Sequence, residues 1–96
     1  MEDVSELRLE LSGYIAILYS CKNNMKLVNN IDAYSYEGKK LWNIKEVLEN
    51  SLGVQKDEWY PEMSIVEGNL SVLSFRGIRF LIDGQRGNLL GSQIVK

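Results

Sequence analysis

The groups that could carry covalent or acid–base chemistry in this chain are few. It contains one cysteine, Cys21, and no histidine. Without an imidazole there is no Ser-His-Asp or Cys-His arrangement and no histidine-bearing zinc site, and the commonest general base near neutral pH is missing. One thiol cannot build a thiolate metal centre. Cys21 is followed by Lys22, whose charge would lower the thiol pKa and make it reactive in an exposed loop; its competing role is a small apolar filler at a strand end. Carboxylates can act as a pair, one of them kept protonated by burial, and Asp32, Asp57, Glu58, Glu62 and Asp83 are the candidates. Most fall at turns or on polar strand faces, where solvation is the expected state, and Asp83 is expected to cap its own turn. Gly84 and Gly87 follow a strand but open no helix, so a phosphate cradle has no support. The chain is expected not to be an enzyme, with no catalytic residue, no metal site and no cofactor.

What remains is surface that could hold a partner. Asp57-Glu58-Trp59-Tyr60, closed by Pro61, sets two aromatic rings among carboxylates in a stretch without periodicity. Large rings rimmed by charge are how protein interfaces anchor, because the ring desolvates fully while the charges set orientation. These four residues are the candidate partner-binding site. The competing arrangement folds Trp59 or Tyr60 back over the open end of a sheet. Trp42, ending a strand in apolar company, is expected in the core. Tyr34 and Tyr36 could stack unpaired bases from a strand face, but that mode needs interleaved cations, and Asp32 and Glu37 oppose it. Arg76, Arg79 and Arg86 form either a local basic patch in the last hairpins or an ordinary solvated sheet face.

The elements that must position these residues follow from the period of the pattern. Leu7-Arg8-Leu9-Glu10-Leu11 puts leucines on one side and charges on the other, a half-buried strand. Tyr14 to Ser20 is apolar on both faces and belongs inside a sheet, since an edge would expose one apolar face. Cys21 to Asn30, with four asparagines, suits a long hairpin loop. Asn30 to Tyr36 is a third strand, turned by Glu37-Gly38 into a fourth that ends at Trp42 and Ile44. The period then changes: Val47, Leu48 and Leu52 are at helical spacing, with Gly53 as the C-cap, which predicts a short helix near 45–52. Met63 to Val66, Leu70 to Phe75, Ile78 to Asp83 and Leu89 to Val95 alternate as strands, separated by Glu67-Gly68-Asn69, Arg76-Gly77 and Asp83 to Gly87.

A shift of 39 residues overlays Asn30-Ile31-Asp32-Ala33-Tyr34-Ser35-Tyr36-Glu37-Gly38 on Asn69-Leu70-Ser71-Val72-Leu73-Ser74-Phe75-Arg76-Gly77. Asn, Ser and Gly coincide, and the apolar pairs keep size and face. A period near 40 residues with four strands per unit is the spacing of propeller blades, and it suggests an internal repeat of residues 6–44 and 63–95. Ala33-Tyr34-Ser35-Tyr36-Glu37-Gly38-Lys39-Lys40-Leu41-Trp42 resembles the blade motif of quinoprotein-like (PQQ-type) β-propellers, in which an alanine precedes a hairpin whose glycine lies four residues before a tryptophan. Asp83-Gly84-Gln85-Arg86-Gly87-Asn88-Leu89-Leu90 is similar to the same motif. The first copy has Ser35 in place of its aspartate, and the second has Gly91 in place of its tryptophan and lies one hairpin later than the overlay would put it. Two blades do not close a ring, and nothing in the chain corresponds to a quinone or metal site. The pattern Asn-x-x-Ala-Tyr…Gly-x-x-x-Trp-x-Ile is also similar to that of small uncharacterised bacterial all-β proteins, which implies a bacterial origin.

Bulk composition bounds the rest. With 45% hydrophobic and 25% charged residues over 96 positions, this is one globular domain, residues 1–96. The net charge of −2 supplies no basic footprint, so nucleic acid is not an expected partner. Tyr14 to Tyr19, the longest apolar run, is too short to cross a bilayer. Acidic Met1-Glu2-Asp3 stands where a signal peptide carries its basic region, and a single cysteine lends secretion no support. A cytoplasmic location without membrane contact is expected. The expected fold is all-β, about eight antiparallel strands in two packed four-stranded meanders, blade-like, with one short helix. The expected function is a non-catalytic protein-binding module, of immunity or scaffold type, in a bacterium. The alternatives are a small-molecule or carbohydrate binder stacking on Trp59, Tyr60 and a strand-face tyrosine, and a self-associating unit forming homo-oligomers.

Overall fold

A computed structural model of the chain describes residues 4–21 and 26–95. Period-two alternation becomes eight strands, interrupted once by a helix. They are β1 (Val4–Leu11), β2 (Tyr14–Cys21), β3 (Ile31–Tyr34), β4 (Lys40–Asn43), α1 (Ile44–Leu52), β5 (Glu62–Val66), β6 (Asn69–Leu73), β7 (Ile78–Asp83) and β8 (Asn88–Ile94). Every strand pairs antiparallel with its neighbour in sequence, giving two four-stranded sheets ordered β1-β2-β3-β4 and β5-β6-β7-β8. The all-β class, the strand count, the division into two sheets and the single helix are as expected. β2 is interior, as its two apolar faces require.

The two sheets and α1 share one core. Ala16, Ile31, Ala33 and Trp42 from the first sheet meet Leu70, Val72, Phe80 and Ile82 from the second, with Ile44, Val47 and Leu48 of the helix among them. The helix starts where alternation stops because Asn43 and Glu46 form a capping box. The Asn43 carboxamide oxygen accepts from the Lys45 N–H at 3.0 Å, and Glu46 accepts from the Asn43 N–H at 2.8 Å. Gly53, at φ +84°, ends it and donates its N–H to the Glu49 carbonyl. The leucine face of β1 is buried only at one end. Leu11 is in the core, Leu9 is half-buried and Leu7 is 49% exposed, because β1 is an edge strand.

The 39-residue overlay has a local cause. It superposes β3 on β6, the third strand of one sheet on the second strand of the other. What the two segments share is the turn that follows them. Ser35 Oγ accepts from the Lys39 N–H and Ser74 Oγ from the Ile78 N–H, each at 3.1 Å. Gly38 donates to the Ser35 carbonyl and Gly77 to the Ser74 carbonyl, at φ +92° and +90°. In both copies a serine three residues before a left-handed glycine builds the same turn. The two segments that resemble the blade motif instead occupy equivalent places, the β3–β4 and β7–β8 hairpins. The second turn is closed by the Gly87 N–H donating to the Asp83 backbone carbonyl, a role expected of the Asp83 side chain.

Candidate functional site

The segment Asp57–Tyr60 links α1 to β5 and is held to both sheets by its backbone. Val28 and Trp59 form an isolated antiparallel bridge. Asn29, at φ +52°, donates its N–H to the Glu58 carbonyl at 2.7 Å, and the Phe75 N–H donates to the Trp59 carbonyl at 2.9 Å. Asn30 then acts as an extra length of strand. Its carboxamide N–H₂ donates to the Tyr60 and Tyr19 carbonyls at 2.9 Å, and its oxygen accepts from the Tyr60 N–H at 2.9 Å. With all of its bonds internal, Asn30 is buried without penalty.

These bonds divide the four expected site residues. Tyr60 is 3% exposed and belongs to the core, so it offers nothing to a partner; Asn30 draws its backbone inward, and burial pushes its phenol up to about 12. Asp57 is exposed and accepts from Lys45 at 2.8 Å and Asn29 at 3.0 Å. The lysine bond holds its carboxyl below the usual range and raises Lys45 in turn. Glu58 accepts from Arg76 Nε at 3.0 Å and from the Arg76 backbone N–H at 3.3 Å. Trp59 is half-buried, and its ring packs on Phe75 with centroids 5.1 Å apart and planes tilted by 38°. The Lys26 ammonium stands over both rings, 5.1 Å from Trp59 and 4.1 Å from Phe75.

The candidate site therefore has Trp59, Phe75 and Lys26 at the centre, with Glu58–Arg76 and Asp57–Lys45 around them. Phe75 is 59% exposed and Val28, beside Trp59, is 50% exposed. Alternation assigns Phe75 to a strand, whereas it lies at the tip of the β6–β7 turn. The overlay itself carried the missing signal, since it sets Phe75 opposite Tyr36, which is 55% exposed at the tip of the β3–β4 turn.

The remaining candidates are dispersed. Cys21 is half-buried at the end of β2, and Lys22 lies outside the described residues. The three arginines do not form one patch: Arg76 and Arg86 occupy turns at opposite ends of β7, and Arg79 lies between them on the outer face. Trp42 is in the core, as expected. Tyr34, Tyr36 and Tyr19 line a groove of about 360 Å³ on the outer face of the first sheet, with Ile15 and Ile17 as its floor. Burial, a hydrogen bond with Tyr34 and the charges of Asp32 and Glu6 raise the Tyr19 phenol above its ordinary value. Asp32 is committed to structure, accepting from Asn43 at 2.8 Å and lying 3.4 Å from Lys40. Among the described residues, no helix is long and apolar enough to cross a membrane, and no group of three metal-ligating side chains converges.

The chain belongs to the family described as domain of unknown function (DUF7957), whose model matches residues 2–94. No curated protein and no solved structure matches it.

Proposed function

We propose that this member of the DUF7957 family is a non-catalytic module that binds another protein through the Trp59–Phe75 cluster. The observation that carries this reading is Phe75, which is 59% exposed at a turn tip yet pinned against Trp59. A rigid aromatic anchor loses little conformational entropy on binding and gains fully from desolvation. The Glu58–Arg76 and Asp57–Lys45 pairs ring it with charges of both signs, the polar rim of a protein interface. An immunity or scaffold role in a bacterial cytoplasm belongs to the same reading, supported by the small acidic chain.

The test is affinity capture from lysate, comparing wild type with Phe75→Ser and with Leu90→Ser, an exposed apolar change in β8. A stoichiometric partner lost with Phe75→Ser and kept with Leu90→Ser supports the proposal. A partner kept by both variants, or no partner at all, overturns it.

A second reading is favoured by the tyrosine groove of the first sheet. Three phenols above an isoleucine floor are a stacking surface for a sugar ring, and none of them needs Trp59 or Tyr60. Tyrosine fluorescence quenched by a carbohydrate and restored in Tyr34→Ala would select it.

A further inference from the structure

We infer that the outer face of the second sheet binds a small carboxylic acid with a short apolar tail, held by Arg79. The register sets Ser71 beside Leu81 and Leu81 beside Gly91, with Leu73, Arg79 and Gln93 in the adjacent row. Ser71 is 1% exposed although its neighbours Leu70 and Val72 face the core and Ser71 does not. The side chain that covers it is Arg79, whose Nη1 donates to Ser71 Oγ at 3.1 Å. A guanidinium has five N–H donors in a rigid fork. One of them goes to Ser71. The ion pairs among the described residues join Lys40 to Asp32, Lys45 to Asp57 and Arg76 to Glu58, and none includes Arg79. The guanidinium of half-buried Arg79, tied down by a buried hydroxyl and with no carboxylate partner among the described residues, is prepared to accept one, and a planar carboxylate matches its fork bidentately.

The space beside Arg79 defines the rest of the ligand. A groove of about 280 Å³ runs between Val66 and Leu81, with Gln93 beside the guanidinium. Gly91 leaves it open: a Cβ there would meet nothing within 4 Å, so any side chain at this position would stand in the groove. The volume sits just below the ~300 Å³ at which drug-sized pockets begin. One cation with apolar walls suits a monocarboxylate, and it suits a phosphate dianion poorly because, among the described residues, no second cation lines the groove to balance the charge.

Amide chemical shifts followed during titration with sodium hexanoate test this, with hexanol, hexylammonium and inorganic phosphate as comparison ligands. Saturable shifts confined to Ser71, Arg79, Leu81, Gly91 and Gln93 are expected with hexanoate, at an affinity at least tenfold above hexanol. Arg79→Gln should weaken hexanoate at least tenfold. Gly91→Val should abolish binding while leaving the melting temperature within a few degrees, since this backbone is not left-handed and the Cβ meets no atom. Equal binding of hexanol, preference for phosphate, undiminished binding by Arg79→Gln, or no saturable shift would each overturn the assignment.

Discussion

The indole N–H of Trp42 donates to the Gly84 carbonyl at 2.6 Å, joining β4 of the first sheet to the last turn of the second. Two glycines of that turn make the approach feasible. Gly87 lies against the indole, where a Cβ would stand 3.3 Å from Cδ1, and a Cβ on Gly84 would overlap the Tyr14 phenol. The residues that resemble two separate propeller motifs are thus each other's packing partners across the core.

Trp42→Phe keeps most of the ring but leaves the buried Gly84 carbonyl unpaired, so it should lower unfolding free energy by about 1–3 kcal/mol. Gly84→Ala should cost a similar ~1–3 kcal/mol through overpacking. Combining it with Tyr14→Leu should recover about 1 kcal/mol or more relative to additivity. Urea denaturation of the two singles and the double supplies the cycle. Strict additivity would show that the Tyr14 ring does not rest on Gly84.

Asn30 satisfies three backbone groups that belong to two different segments. Asn30→Leu removes those partners while adding apolar volume, and a loss of about 3–5 kcal/mol is expected in urea. Because the bonds fix Tyr60, the same variant should shift the Trp59 emission next door. A stable Asn30→Leu protein with unchanged emission would mean that the linker holds its place by other contacts.

The shared Ser-x-x-Gly turn can be tested by the difference between its copies. Gly38 and Gly77 are both left-handed, which costs about 1–2 kcal/mol for an alanine. Only Gly77 is also crowded, since a Cβ there would lie 2.9 Å from the Val95 carbonyl oxygen. Gly77→Ala should therefore destabilise more than Gly38→Ala, and Gly38→Asn should be nearly neutral. Equal melting temperatures for the two alanine variants would contradict the crowding at Gly77.

How far the sequence reveals this protein depends on the range of the interactions concerned. β2 is interior because its own residues are apolar on both faces, and α1 begins where the local period changes, so both are legible without neighbours. Tyr60 is not. Nothing within four residues of it distinguishes it from Trp59, and its burial is decided by Asn30, thirty positions away. Phe75 escapes the pattern for the opposite reason: alternation continues into the turn, and only the serine and glycine around it mark the chain's reversal. Arg79 alternates like any solvated residue, and its bond to buried Ser71 appears only once the sheet order sets its neighbours.

The buried phenols predict a stability profile that falls on the alkaline side. Burial raises Tyr14 and Tyr60 from 10.0 to about 12, with the charges of Asp83 and Glu58 adding to it, and Tyr19 is raised as well. A raised value means the folded protein holds the proton more tightly than the unfolded chain. For Tyr14 and Tyr60 the stabilisation is therefore complete below pH 10 and is lost as pH climbs from 10 through 12, by ~2 kcal/mol each. Asp57 behaves in the opposite sense: its lowered value stabilises above the ordinary carboxylate range and is lost on acidification, but the group is exposed, so the acid limb should be shallow. Melting temperatures measured from pH 3 to 12.5 should show this asymmetry. Tyr60→Phe removes one of the phenols, so its melting temperature should fall less steeply than wild type above pH 10. An alkaline limb identical to wild type in that variant would place the sensitivity elsewhere in the fold.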